Sequence, residues 1–359
     1  MYSVINSLTW NSVLPIIHTT MKTKKQNGST TQGTRQDIVM GSLAIRLLLF
    51  IMVGTILVTQ DVAAQASVPP GFVHVPGGTY IMGDLEPNDD FRTRETSRRV
   101  TVSSFAISTT HVTVGEFRAF VNATNYKTTA EIEKYCWVRI NEEWVEKTDA
   151  SWKNPYHVQT DDCPVVFTSW YDAMAYSNWK SQVDGRTPVY SCKGETDLRK
   201  WPAEWNLDNN EDITADFSAN GYRLPTDAEW EYAAKGGPAS SRLSVKDIYA
   251  GSSDIASVAW YAGNSGGRTR PVGTKKPNAL GLFDMSGNAL QWCHDWNNSG
   301  NKAQDLVDPV GDPGPPFKIL RGGSWSMSAF DCRSGMHHGD DAYNYSDNKG
   351  FRLVCRAGN

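Results

Sequence analysis

Histidine and cysteine are the scarce reactive residues of this 359-residue chain, seven and six in number, and their spacing narrows the chemistry available. His337 and His338 stand beside Asp340 and Asp341 in the densest cluster of metal-capable side chains. A two-histidine, one-carboxylate iron site would need these neighbours to converge on one ion, whereas neighbours in a loop more often point apart. No iron or zinc centre is expected there. No Ser-His-Asp ordering, Walker loop or H-E-x-x-H motif occurs, which sets aside the chemistries those motifs serve. The cysteines are Cys136, Cys163, Cys192, Cys293, Cys332 and Cys355. In an oxidising compartment they could form lasting disulfides, whose connectivity sequence alone does not choose.

The compartment is read near the N-terminus. Residues 44–58, AIRLLLFIMVGTILV, form one apolar run. Lys22, Lys24, Lys25, Arg35 and Arg46 come before or within its start, and Ala64-Gln65-Ala66 follows it, the layout of a secretory signal peptide. About 12 residues after Arg46 are apolar, short of the ~20 that span a bilayer. Residues 1–66 are therefore expected to be a cleaved signal with an extended n-region, the alternative being an uncleaved membrane anchor. The protein is expected to be secreted, periplasmic or at the cell surface, touching membrane only through an uncleaved signal segment. The segment holds five basic and two acidic side chains, so the remainder would carry 30 basic and 37 acidic residues and a net charge of −7. Such a chain has no basic field for nucleic acid.

Several short elements must position whatever the exported part does. Residues 67–359 show neither linker nor repeat and are read as one domain. Capping boxes open three helices, at Thr113–Glu116, Ser169–Asp172 and Thr226–Glu229, where hydroxyl and carboxylate satisfy free backbone N–H groups. The packing faces would be Phe117, Phe120 and Val121 in the first, Trp170, Ala173 and Trp179 in the second, and Trp230, Tyr232 and Ala233 in the third. Gly236-Gly237 closes the third. Phe72–Val75, Arg99–Phe105 and Phe351–Val354 read as strands. Residues 184–220 are polar and turn-rich, and read as a surface insertion carrying a short hairpin.

Six blocks then occur in a recognisable order: Phe72-Val-His-Val-Pro-Gly-Gly-Thr-Tyr-Ile-Met-Gly83 with Thr113-Val-Gly-Glu-Phe117, Pro164-Val-Val-Phe-Thr-Ser-Trp-Tyr-Asp-Ala173, Gly221-Tyr-Arg-Leu-Pro-Thr-Asp-Ala-Glu-Trp-Glu-Tyr232, Pro277-Asn-Ala-Leu-Gly-Leu-Phe-Asp-Met-Ser-Gly-Asn288, Arg321-Gly-Gly-Ser-Trp325 and Gly350-Phe-Arg-Leu353. Together they resemble the formylglycine-generating enzyme (sulfatase-modifying factor) family across nearly all of residues 70–356. The resemblance implies an α+β domain with a modified C-type-lectin-like fold, low in regular secondary structure. Function does not follow from that fold alone.

The resemblance also implies a site. Family oxidases hold copper(I) between two cysteines five residues apart, shortly after the Gly-Gly-Ser turn, here Gly322-Gly323-Ser324. Cys332 falls on the second cysteine and Met327 on the first. A thioether binds copper(I) but forms neither thiolate nor disulfide, so copper is not expected and the oxidase step should be lost. Calcium is the metal expected instead, on Asp284, the carbonyls of Gly287 and Ala289, and Gln291 in place of the family's glutamate, with Asn264 matching part of a second site. A Cys163–Cys355 disulfide is implied by adjacency in the family fold, and Cys293 and Cys332 are expected either to pair or to stay as two buried thiols.

Two functions remain. The first is a binding protein whose groove between Ser324 and Asn348 faces an exported protein, peptide or glycan through Trp325, Ser326, Arg333, His337, Asp340, Tyr343, Tyr345 and Asn348, side chains of the kind adaptable recognition surfaces use. The alternative is a working modifying enzyme: a sulfatase-modifying oxidase that uses Cys332 to convert a substrate cysteine to formylglycine, or an enzyme of another chemistry in the family.

Overall fold

The three capping boxes read from the sequence all form. Thr113 caps α1 (Val114–Thr124), and Glu116 returns a bond to the Thr113 N–H at 2.8 Å. A fourth box, Thr128 with Glu131, opens α2 (Thr129–Glu133). Ser169 caps α3 (Trp170–Val183) and Thr226 caps α4 (Asp227–Ala234). Each cap supplies about 1 kcal/mol, enough to fix where a short helix starts but not to hold it. Burial holds them: Phe117, Phe120, Trp170, Ala173, Trp230, Tyr232 and Ala233 are all inside, while Val121 and Trp179 are half-buried. Past α4, Gly236 and Gly237 have φ of 91° and 62°, the left-handed backbone that stops the helix.

The computed structural model describes residues 68–83, 97–140, 143–202, 213–238, 247–297, 306–311 and 317–358. The signal-like segment 1–66 lies outside the described residues. The rest belongs to one compact unit, Val62–Asn359.

Strands β1 (Phe72–Val75), β4 (Phe105–Ser108), β15 (Val354–Arg356) and β9 (Tyr222–Arg223) form one sheet in that order. In a second, β13 (His337–Asp341), β12 (Phe317–Arg321), β10 (Leu290–Trp296) and β14 (Lys349–Gly350) lie side by side. A third joins β11 (Leu306–Val307), β3 (Arg98–Val102) and β2 (Gly78–Met82). Two hairpins stand apart: β5 (Cys136–Ile140) with β6 (Glu143–Lys147), and β7 (Tyr190–Cys192) with β8 (Ile213–Ala215). The second is the hairpin expected in the 184–220 insertion.

Two strand boundaries differ from expectation. Arg99–Phe105 is not one run: it breaks at Ser103, whose N–H and hydroxyl both donate to Asp308, at 2.6 and 2.7 Å. The last strand begins at Val354 rather than Phe351, because the Phe351 carbonyl accepts from the Val112 N–H and the Leu353 N–H donates to the Ser108 hydroxyl, outside the ladder.

No disulfide joins Cys163 to Cys355, which corrects that expected bridge, and of the two options for Cys293 and Cys332 the structure has the two buried thiols. Each thiol has its own surroundings. Cys163 accepts the Thr160 N–H at 3.4 Å, Cys355 lies within β15 between β4 and β9, and Cys293 and Cys332 pack in different apolar clusters.

Candidate functional site

The turn after β12 is built to press on Cys332. Gly322 and Gly323 have φ of 92° and 68°, and a Cβ on Gly323 would stand 2.6 Å from the Cys332 Sγ. Only glycine fits. The chain continues through Ser324 to a short 3₁₀ turn, Phe330–Cys332, before β13. Cys332 is fully buried with Tyr249, Val258 and Ala259. Burial, seconded by the Asp331 charge, pushes its thiol up to about 12, against the pull of the Ser324 and Gly287 N–H groups. At neutral pH it is a thiol, not a nucleophilic thiolate. Met327 is only partly buried and packs on the other, larger cluster around α1 and α3. The two sulfur side chains that sequence places in one site therefore belong to different apolar clusters.

The polar residues of this segment assemble in part. Asn348 Nδ2 donates to the hydroxyls of both Ser324 and Ser326 at 3.2 Å, and the Ser346 hydroxyl donates to Asn348 Oδ1 at 2.7 Å. Trp325 is buried; its Nε1 donates to the Asp347 carbonyl at 2.9 Å, and its ring meets His157 edge-on at 5.4 Å. The Tyr345 hydroxyl donates to the Tyr135 carbonyl at 2.6 Å and to Glu133 at 3.0 Å, anchoring the segment to the start of β5. The Tyr343 hydroxyl donates to Asp341 at 3.3 Å. Asp340 binds Asn344 Nδ2 at 2.8 Å and pairs with Lys349. Arg333 turns back over the Phe330 ring at 3.8 Å.

His337, His338, Asp340 and Asp341 lie in a strand, not the expected loop, and their alternation along β13 sends adjacent side chains to opposite faces. His338 faces Asp331 at 3.9 Å. Burial lowers His337 to about 4. Among the described residues no three of His, Cys, Asp or Glu converge as a metal site.

Several of the oxygens expected to bind calcium already accept from the protein's own donors. Asp284, with φ 53°, accepts the Gly273 N–H at 2.8 Å, while its other oxygen is buried without a hydrogen bond. The Ala289 carbonyl is bound by His111 Nε2 at 2.8 Å. Gln291 Oε1 accepts from Trp230 Nε1 at 2.7 Å and from Arg352 Nε, which fills both lone pairs. Arg352 is fully buried and also donates to the carbonyls of Ser108 and Phe283. Asn264 is spent within its own turn, on Tyr261 N–H and Ala259 carbonyl. The donors fit calcium poorly: the Gln291 oxygen is saturated, and a guanidinium already brings positive charge to Asp284. Burial pushes the Asp284 carboxyl up to about 6, and Arg352 offsets part of that.

Three features went unread in the sequence. Arg321, wholly buried, donates to Asp227 at 2.5 Å and lies 3.1 Å from Glu231, tying α4 to β12. The charged Arg321 directly after the apolar pair Ile319-Leu320 of β12 was the available signal. A cleft of about 780 Å³, lined in part by Tyr126, Trp179, Gln182, Asp197, Leu198 and Trp201, opens between the ends of α1 and α3 and the insertion. It contains none of the expected site residues. The exposed aromatic hairpin β5–β6 was also missed, although Tyr135, Cys136, Trp137 and Val138 alternate polar-side and core-side in the manner of a strand.

Comparison with known proteins places this geometry. The model of the sulfatase-modifying factor enzyme 1-like domain matches residues 58–357. The chain belongs to that family. Within it, the formylglycine-generating enzyme of Bos taurus is 26% identical over 341 residues, covering 83% of this chain and 79% of that protein. The inactive C-alpha-formylglycine-generating enzyme 2 of Mus musculus is 29% identical over 307 residues, covering 80% of this chain and 87% of that protein. Among solved structures, Treponema denticola variable protein 1 superposes with a TM-score of 0.62 at 27% identity, covering 79% of this chain and 94% of that one. The fold is the α+β, C-type-lectin-like fold of the sulfatase-modifying factor family, as its blocks implied.

Proposed function

We propose that this chain is an exported family member without the copper oxidase activity, binding a protein, peptide or glycan ligand through the surface between Ser324 and Asn348. The observation that carries the reading is the separation of its two sulfurs: Cys332 is sealed in one cluster while Met327 packs on another. A buried thiol pushed up to about 12 offers neither a soft anionic ligand nor a nucleophile. In the polar network of the buried Ser324 with the half-buried Ser326, Ser346 and Asn348, the last three can donate to and accept from a ligand. The mouse relative named as inactive supports the idea that the scaffold persists without oxidation. Export rests on the apolar run and Ala-Gln-Ala ending before residue 67.

The test is mass spectrometry of a Cys-x-Pro-x-Arg peptide incubated in air with the purified protein, copper(I) and a thiol reductant, beside Met327→Cys. The wild type should leave the peptide thiol unchanged. Conversion of that thiol to an aldehyde by the wild type would overturn the reading.

A further inference from the structure

Tyr135 is 53% exposed and Trp137 47%, two large aromatics on one outward face, since Cys136 and Val138 between and after them point into the core. Their rings meet edge-on at 6.4 Å, and Trp137 Nε1 donates to the Tyr135 hydroxyl at 3.0 Å, which holds the pair as a fixed platform. Directly across the hairpin from Trp137 stands Glu146, also exposed, so a carboxylate shares the aromatic face. Glu133 flanks the other end and accepts from the Tyr345 hydroxyl at 3.0 Å.

The platform continues the candidate site. Tyr345 is bonded to the Tyr135 carbonyl, and Trp325 to the Asp347 carbonyl, so hairpin and groove share the segment 343–348. Tyr343, whose hydroxyl donates to Asp341 at 3.3 Å, feels the Glu133 charge at the foot of the hairpin.

Resting on the binding reading above, we propose that the hairpin extends the groove into an acidic aromatic platform for a lysine- and arginine-bearing polypeptide segment. An aromatic face attracts a cation through its quadrupole, and a neighbouring carboxylate adds Coulomb attraction and a hydrogen-bond acceptor. The exported remainder, at −7, favours approach of a cationic partner and disfavours an acidic one.

The experiment measures fluorescence anisotropy of a labelled (Arg-Gly-Ser)₃ peptide against the full exported domain, with (Asp-Gly-Ser)₃ as the opposite-charge probe. Trp137→Ala and Glu146→Lys should each weaken the basic peptide about tenfold. Asp247→Lys, an equal charge change at an exposed position elsewhere, should leave binding within about twofold. Thermal melts of all three variants should match the wild type, because the changed side chains are exposed. Equal weakening by Asp247→Lys, equal binding of the acidic probe, or no binding of the basic probe would each overturn the assignment. Should the basic probe fail while the oxidase assay stays silent, only the platform is lost; conversion of the cysteine peptide would remove the underlying reading as well.

Discussion

At the scale of single residues, His111 shows how burial converts a sequence position into a pH response. Its ring is lowered to about 3, first by burial and then by the Arg352 charge, against the Ala289 carbonyl that favours its proton. Between that value and the ordinary ~6.5 the unfolded chain holds the extra proton. His111 therefore favours the fold above pH 6.5, and its contribution is lost as pH falls below it. Asp284 works in the opposite direction: its carboxyl, pushed up to about 6, is protonated more readily in the folded chain, so acid relieves its burial. Replacing His111 with Gln, which keeps an amide donor for Ala289, should flatten the loss of stability between pH 6.5 and 4.5. The difference in slope should approach one proton, ~1.4 kcal/mol per pH unit. Urea midpoints measured across that range check it, and parallel curves would count against it.

At the scale of elements, the caps were legible and the charges that dock the helices were not. A hydroxyl three residues before a carboxylate is a local signature, so α1, α3 and α4 could be read directly from their first turns. The partners of Arg321 are distant in sequence, from the first and second turns of α4, and no local pattern reveals them. The same holds for the site. Met327 and Cys332 are five positions apart, which suggests one site, while the bend that ends in the 3₁₀ turn Phe330–Cys332 delivers their side chains to separate clusters. Arg321→Met should cost ~3–5 kcal/mol, because Asp227 and Glu231 would remain buried with their countercharge removed. Chemical denaturation measures that loss. A further Asp227→Asn, Glu231→Gln change should recover part of it, and no recovery would mean that the arginine acts mainly by filling space.

At the scale of the whole molecule, the saturated Gln291 oxygen and the Arg352 charge near Asp284 predict a stability that does not depend on calcium. Melting temperature should change by less than about 1 °C between excess calcium and chelator, since a ligand that binds the fold at 100 times its Kd adds ~2.7 kcal/mol and would shift it visibly. A calcium-dependent rise that disappears in Asp284→Ala would restore the metal reading. The position of β15 has a further consequence. It lies between β4, some 250 residues earlier, and β9, some 130 earlier, so the sheet has no interior strand until Val354–Arg356 is in place. Pairing over such distances is slow and cannot begin on a growing chain. A chain cut before Val354 would therefore leave β9 without a strand partner and β4 with a bare edge, a row of unpaired backbone groups open to another chain.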